Sequence, residues 1–286
     1  MKCLFVYNEQ SGGSKEINYH EQIIEYLNNL YDHVDVFHAG VDNDLHFVLE
    51  NNQYDDVICS GGDGSIAILV NKLISYGFQG NIGYIPLGTA NDFARNHKIP
   101  LNVEKSLEII KNKKSELVHL GIVNEKVMLY ALAIGKLSGV SYKTKLKEKK
   151  SLTKFSYLLT GIKELFSNKK IELKLIFDFF KIDYKTPLML VLDSNTLGGF
   201  KVNYKKKNAY DVLIFKGGAL RSAIGIIGMF LFGYKKTNTR FYDYFNLQNF
   251  EIELMNEQSW CLDGEEFKAQ KVNVSAHRER INLYKK

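Results

Sequence analysis

Along the first third of the chain, short apolar runs alternate with longer stretches whose apolar residues recur every three or four positions. Cys3 to Tyr7, Val34 to Phe37, Asp56 to Ser60 and Asn81 to Pro86 are too short for helices and read as strands. Between them, Glu16 to Leu30 sets Ile17, Ile23, Ile24, Leu27 and Leu30 on one helical face. Leu45 to Asn51, Ser65 to Tyr76 and Asn91 to Asn96 read as further helices. Strands that alternate with helices predict a parallel sheet covered on both faces.

Beyond about Leu117 the pattern changes. Ile171 to Phe179, Leu188 to Leu192, Val212 to Phe215 and Phe250 to Leu254 are Tyr-, Phe- and Leu-rich segments that read as antiparallel strands, with one helix at Thr153 to Phe166. The expectation is an α/β domain over residues 1–118 and a β-rich domain, an antiparallel sandwich, over 119–286. The last few residues are free in this reading to return to the first domain. The run Lys143 to Lys150 reads as a solvated loop. Ala219 to Tyr234, apolar with Arg221, Lys235 and Lys236 at its ends, reads either as a buried helix or as an element that dips into lipid.

Three loops carry the candidate chemistry. Ser60-Gly61-Gly62-Asp63-Gly64-Ser65 joins an expected strand to an expected helix. Its glycines let the backbone approach a ligand, and the helix start offers unpaired N–H groups to an anion. Ser65 is placed to cap that helix or to donate to a phosphate. Gly62 to Ala67 also fits the dinucleotide pattern G-x-G-x-x-A, but Asp63 would then lie against a pyrophosphate. The next strand, moreover, ends in Ile85-Pro86-Leu87 with no acidic residue for a ribose. A phosphate loop whose Asp63 serves Mg²⁺ or the nucleophile fits better. Asn8 to Gly13 follows the first strand and Leu87 to Asp92 the fourth, so all three loops are expected at one sheet edge, where open parallel sheets bind ligands.

Composition narrows the choice a little. The 286 residues are 45% hydrophobic with a formal charge of +6, which suits an anionic partner without demanding nucleic acid. Cys3, Cys59 and Cys261 are scattered, so neither a disulfide framework nor a cysteine zinc site is expected, and a cytoplasmic protein is. The longest uncharged run, Ser222 to Tyr234, would reach only roughly 20 Å as a helix, short of the roughly 30 Å hydrocarbon core. No transmembrane segment is expected.

These residues resemble the bacterial diacylglycerol-kinase-like lipid kinases, a family similar in turn to sphingosine kinases and, more distantly, to NAD kinases. Gly61-Gly62-Asp63-Gly64-Ser65 is similar to the family's GGDGT, and Gly88 to Arg95 resembles its GTxNDFAR. Asn8 with Ser11-Gly12, Lys154 to Leu159, Gly198-Gly199-Phe200 and Leu262-Asp263-Gly264-Glu265 follow in the family's order. The resemblance implies an ATP- and Mg²⁺-dependent kinase acting on a lipid hydroxyl at the inner membrane face. It implies nucleotide contacts from Asn8, Ser11, Gly12, Gly61, Gly62, Asp63, Gly64, Ser65, Thr89, Asn91 and Asp92. Asp63 would orient phosphate or Mg²⁺, and Asp263 or Glu265 would accept the hydroxyl proton; on an extended segment both could face one side, whereas Asp263-Gly264 read alone is a hairpin turn.

Two departures stand out. Ala67-Ile68 replaces the family's Asn-Glu, and Lys207 falls where the family has an Asp that helps to bind a structural Mg²⁺. A lysine cannot ligate that ion, so the expectation is that the structural metal is absent. Two alternatives stay open: a soluble kinase similar to NAD kinase, and a catalytically silent nucleotide- or lipid-binding protein. The aromatic second half is a candidate homodimer face.

Overall fold

The structure, a computed structural model, describes residues 1–8, 19–39, 44–135, 170–202 and 209–286. The Lys-rich run, the helix expected at Thr153 to Phe166, Ser11, Gly12 and Lys207 lie outside the described residues. The chain forms two units, one of Met1–Leu120 with Glu279–Lys286, the other of Gly121–Arg278.

In the first unit, β1 (Lys2–Tyr7), β2 (His33–His38), β3 (Asp56–Gly61) and β4 (Asn81–Pro86) form a parallel sheet in the order β4-β3-β1-β2. The end of the last strand, β16 (Glu265–Tyr284), adds a further parallel neighbour, with Asn282 opposite Asn81. The helices are α1 (Tyr19–Asn28), α2 (Leu45–Glu50), α3 (Asp63–Tyr76), α4 (Asp92–Asn96) and α5 (Val103–Lys111). Cys3, Phe5 and Ile58 from the sheet pack with Ile23 and Leu27 of α1 and with Leu107 and Ile110 of α5. The buried strands therefore read as continuous apolar runs, as strands covered on both faces must.

A polar knot sits inside this core. Asp56 is fully buried and accepts from Tyr31 Oη at 2.5 Å, Lys113 Nζ at 2.7 Å, Tyr284 Oη at 2.8 Å and Asn81 Nδ2 at 3.0 Å. The Lys113 ammonium also lies 3.4 Å from the centre of the Tyr31 ring. Burial alone would raise the pKa of Asp56, but Lys113, Tyr31, Asn81 and Tyr284 outweigh it and hold the carboxyl below its ordinary value. Tyr284 is the third residue from the chain end, so this carboxylate ties the final strand to β3.

The second unit is antiparallel. Here β7 (Ala131–Gly135), β10 (Leu188–Leu192), β13 (Tyr210–Phe215) and β14 (Tyr242–Leu247) follow one another, and β8 (Ile171–Phe177) pairs β9 (Phe180–Thr186). The long β15 (Asn249–Leu262) serves both sets, pairing β8 over Glu251–Leu254 and β7 over Trp260–Leu262, with an irregularity between Glu253 and Gln258. Both sets bury side chains in one core around Trp260, whose Nε1 donates to Ala269 O at 3.0 Å. Two short strands, β11 (Thr196–Leu197) and β12 (Phe200–Lys201), are joined by Gly198-Gly199 at φ 61° and 80°. That left-handed pair makes the tight hairpin turn. The strands β5 (Ser115–Val123) and β6 (Lys126–Met128) pair antiparallel, and α6 (Ala219–Phe232) connects β13 to β14.

Asp211 on β13 repeats the chemistry of Asp56. It is fully buried and accepts from Tyr234 Oη at 2.5 Å, Tyr244 Oη at 2.7 Å and Asn246 Nδ2 at 2.9 Å, with Lys236 Nζ at 2.9 Å. Each unit thus carries one carboxylate saturated by two tyrosines, an asparagine and a lysine.

Because the folded pKa of Asp56 lies below its unfolded value, its stabilisation is present above about pH 4 and is lost as pH falls through the folded pKa. Asp56→Ala is expected to cost about 3 kcal/mol at pH 7, since it strands the Lys113 ammonium and three neutral donors. Urea unfolding at pH 7 and pH 3 would check this, the difference from wild type shrinking at the lower pH.

Candidate active site

The parallel register puts the carboxyl ends of β1, β3 and β4 at one edge, with Asn8, the loop into α3 and the loop into α4. The last two loops touch through backbone. A Cβ added at Gly88 would lie 2.6 Å from the Gly62 Cα, so neither loop could approach the other with a side chain there. Asn91, left-handed at φ 51°, braces the contact: its Oδ1 accepts the Gly88 N–H at 3.0 Å and its Nδ2 donates to the Gly88 carbonyl at 2.7 Å. Below them the buried Tyr84 hydroxyl donates to the Gly61 carbonyl at 3.0 Å, which also accepts the Leu87 N–H at 2.8 Å. Arg95 Nε closes the second loop by donating to Ala90 O at 2.8 Å.

Asp63 opens α3 and reaches across to the second loop. Its Oδ1 accepts the Phe93 N–H at 3.0 Å, and the backbone N–H groups of Asp92 and Asn91 also bond to it. Asp92, itself buried, lies close enough to oppose its charge. Burial, then the Asp92 charge, push the Asp63 carboxyl up to about 6 in spite of those three donors. Two neighbouring carboxylates, one reluctant to ionise, beside glycine-rich backbone form a donor set that suits a divalent cation carrying phosphate.

In the second unit, Asp263 and Gly264 form the two-residue turn between β15 and β16, at φ 49° and 90°. Of the two local readings, the hairpin turn is the one found: an Asp-Gly pair adopts the left-handed turn readily. The Asp263 carboxylate is buried and accepts three backbone N–H groups, Leu129 at 2.6 Å to one oxygen and Tyr130 and Ala131 at 2.9 Å to the other. Glu265, the first residue of β16, is half-buried. The turn therefore separates the two carboxylates into different environments.

The expected residues divide accordingly. Gly61, Gly62, Asp63, Gly64 and Ser65 lie together with Thr89, Asn91 and Asp92; Thr89 is exposed, while Asn91 and Asp92 are buried. Asn8 is half-buried at the end of β1. Ser65 does not cap α3. The cap is Gly62, with no side-chain bond, and Ser65 lies inside the first turn with its N–H on the Gly62 carbonyl at 3.0 Å. Sequence reasoning passed over Tyr84 and Arg95 as site residues. Arg95 stood inside the GTxNDFAR-like run and could have been found there, whereas nothing in the Tyr84 strand marks its hydroxyl. Among the described residues no group of His, Cys, Asp and Glu forms a ready metal cluster, and no helix is long and apolar enough to cross a membrane.

The whole arrangement has solved counterparts. It is similar to the crystal structure of a diacylglycerol kinase from Bacillus anthracis, with a TM-score of 0.75 at 19% identity, over 100% of this chain and 97% of that one. The chain therefore shares the fold of that structure. Residues 2–123 match the family profile of the diacylglycerol kinase catalytic domain. The diacylglycerol kinase of Bacillus subtilis is 28% identical over 218 residues, 74% of this chain and 72% of that protein. That of Staphylococcus aureus JH9 is 30% identical over 151 residues, 53% of this chain and 48% of that protein. The chain is thus similar to the diacylglycerol-kinase-like lipid kinases.

The raised pKa of Asp63 gives a signed prediction. Between about pH 4 and its folded value of about 6 the folded state keeps a proton that the unfolded chain releases, so stability falls as pH rises through that window. Asp63→Asn keeps an acceptor for the Phe93 N–H and removes the clash with Asp92. It is expected to stabilise the ligand-free protein by about 1 kcal/mol at pH 8 and by little at pH 4. Denaturant unfolding at both pH values, without divalent cations, checks this.

Proposed function

We propose that the chain transfers the γ-phosphoryl group of ATP to a hydroxyl of a lipid such as diacylglycerol, at the inner face of the membrane. The observation that carries this reading is the pair of glycine loops locked backbone to backbone, with Asp63 and Asp92 side by side at the carboxyl edge of the parallel sheet. The match of residues 2–123 to the diacylglycerol kinase catalytic domain supports the reaction class.

In this reading the backbone N–H groups of Gly62 to Ser65 receive phosphate oxygens, and Asn8 and Thr89 contact the nucleotide. Ser11 and Gly12 would complete that set from the first loop. Asp63 and Asp92 would hold Mg²⁺, which when bound neutralises charge on the transferring phosphate. The Asp63 carboxylate, fixed by three backbone donors, needs no rearrangement to do so. Phosphoryl transfer also requires that the acceptor hydroxyl lose its proton. Asp263 has both oxygens committed to backbone N–H groups. Its role in this reading is to hold the turn, and Glu265 accepts the proton.

Incubation with γ-labelled ATP, Mg²⁺ and diacylglycerol in mixed micelles should give a labelled product that partitions into organic solvent. Glu265→Gln is expected to lower kcat at least a hundredfold, with the KM for ATP and the urea midpoint unchanged. Asp263→Ala should instead lower stability by about 2–3 kcal/mol, because three buried N–H groups lose their acceptor. Full turnover by the Glu265 variant would remove it as the base. ATP binding with no labelled lipid would remove the lipid-kinase reading.

A further inference from the structure

The helix α6 carries an apolar face that its own unit leaves uncovered. On one side Ser222, Ala223, Ile226 and Met229 are buried. Gly225 on that side sits so close to β14 and its approach that a Cβ would meet the Phe241 Cβ at 2.8 Å. This tight seat fixes the rotation of the helix. Opposite, Leu220, Ile224 and Leu231 fall on one stripe at helical spacing and are 66%, 49% and 62% exposed. Phe232, at the end of the helix, is 80% exposed. A Cβ at Gly228, beside the stripe, would meet nothing within 4 Å.

Charge says what covers this face. The helix holds no acidic residue, and the exposed Arg221 and Lys235 bracket it. Neither is ion-paired among the described residues. A second copy docked through the same face would set like charges against each other across a two-fold interface. A negatively charged lipid surface would meet both the stripe and its cations. Fourteen residues span only about 21 Å, so the helix would lie in the surface rather than cross it.

We propose that α6 is the docking element that seats this protein on anionic lipid, with Leu220, Ile224, Leu231 and Phe232 in the acyl boundary and Arg221 and Lys235 on headgroup phosphates. The inference rests on the lipid-kinase reading for its purpose but is tested without catalysis. Sedimentation of the full chain with vesicles of phosphatidylglycerol and phosphatidylcholine, in the absence of nucleotide, should show binding that is lost in pure phosphatidylcholine. The variant Leu220→Ser/Ile224→Ser/Leu231→Ser should bind at least tenfold more weakly, with circular dichroism and phosphorylation of a short-chain, water-soluble diacylglycerol unchanged. Arg221→Glu/Lys235→Glu should lose the preference for phosphatidylglycerol. Vesicle binding unaltered in both variants would overturn the proposal. So would a wild-type dimer that the serine variant makes monomeric while vesicle binding persists, which would assign the face to a second copy. Vesicle binding with no phosphorylated lipid would leave the docking surface standing and remove only the kinase reading.

Discussion

The candidate site depends on a contact that contains no side chain. Gly62 and Gly88 bring two loops from neighbouring parallel strands within van der Waals reach, and a single Cβ at Gly88 would collide with the opposite backbone. Everything above that contact follows from it. The Asn91 side chain can bridge Gly88 only because the loop turns back on itself, and Asp63 can reach the Phe93 N–H only because the loops are this close. Tyr84 and Arg95 hold the two loops from beneath and behind. The rigid part of the site is thus backbone, and its side chains serve to keep that backbone in place.

Four carboxylates show how differently one functional group is used. Asp56 and Asp211 are each saturated by two tyrosine hydroxyls, an asparagine amide and a lysine, and they fasten strands. Asp263 takes three backbone N–H groups and fastens a turn. Asp63 also takes three backbone donors, yet the Asp92 charge opposes its own. A carboxylate with a like charge beside it thus lies at the edge where the glycine loops meet. Unrelieved electrostatic strain of that kind is characteristic of sites that bind charged ligands.

Much of this was legible in the sequence, for physical reasons that can be traced. The strands β1, β3 and β4 are buried on both faces, so their apolar runs stood out, and the glycines between strand and helix marked the loops. α5 was passed over, although its Asn102 cap and amphipathic spacing are ordinary helix signals. Of β15 only Phe250 to Leu254 was read, because polar and charged residues occupy Asn256 to Ser259, next to the point where the pairing register shifts. A return of the last few residues to the first domain was left open, but their pairing with β4 could not be seen, since strand partners are set by tertiary contact. The pKa of Asp63 was hidden for the same reason: Asp92 lies in the neighbouring loop, not in the neighbouring sequence.

The Asp-Gly-Glu segment shows how a local signal is carried into the fold. The pair Asp263-Gly264 has the composition of a two-residue hairpin turn, and that is the conformation it takes. A carboxylate at the first turn position then points its acceptors at whatever backbone passes nearby, which here is the Leu129–Ala131 segment. This bond set joins the β15–β16 hairpin to the start of β7, so a residue with a shorter or apolar side chain would free both. Glu265, two positions on, stands at the start of a strand whose position the turn dictates. An acid that fixes the turn and an acid that the turn presents are separate requirements, and one glycine between them lets a three-residue segment meet both.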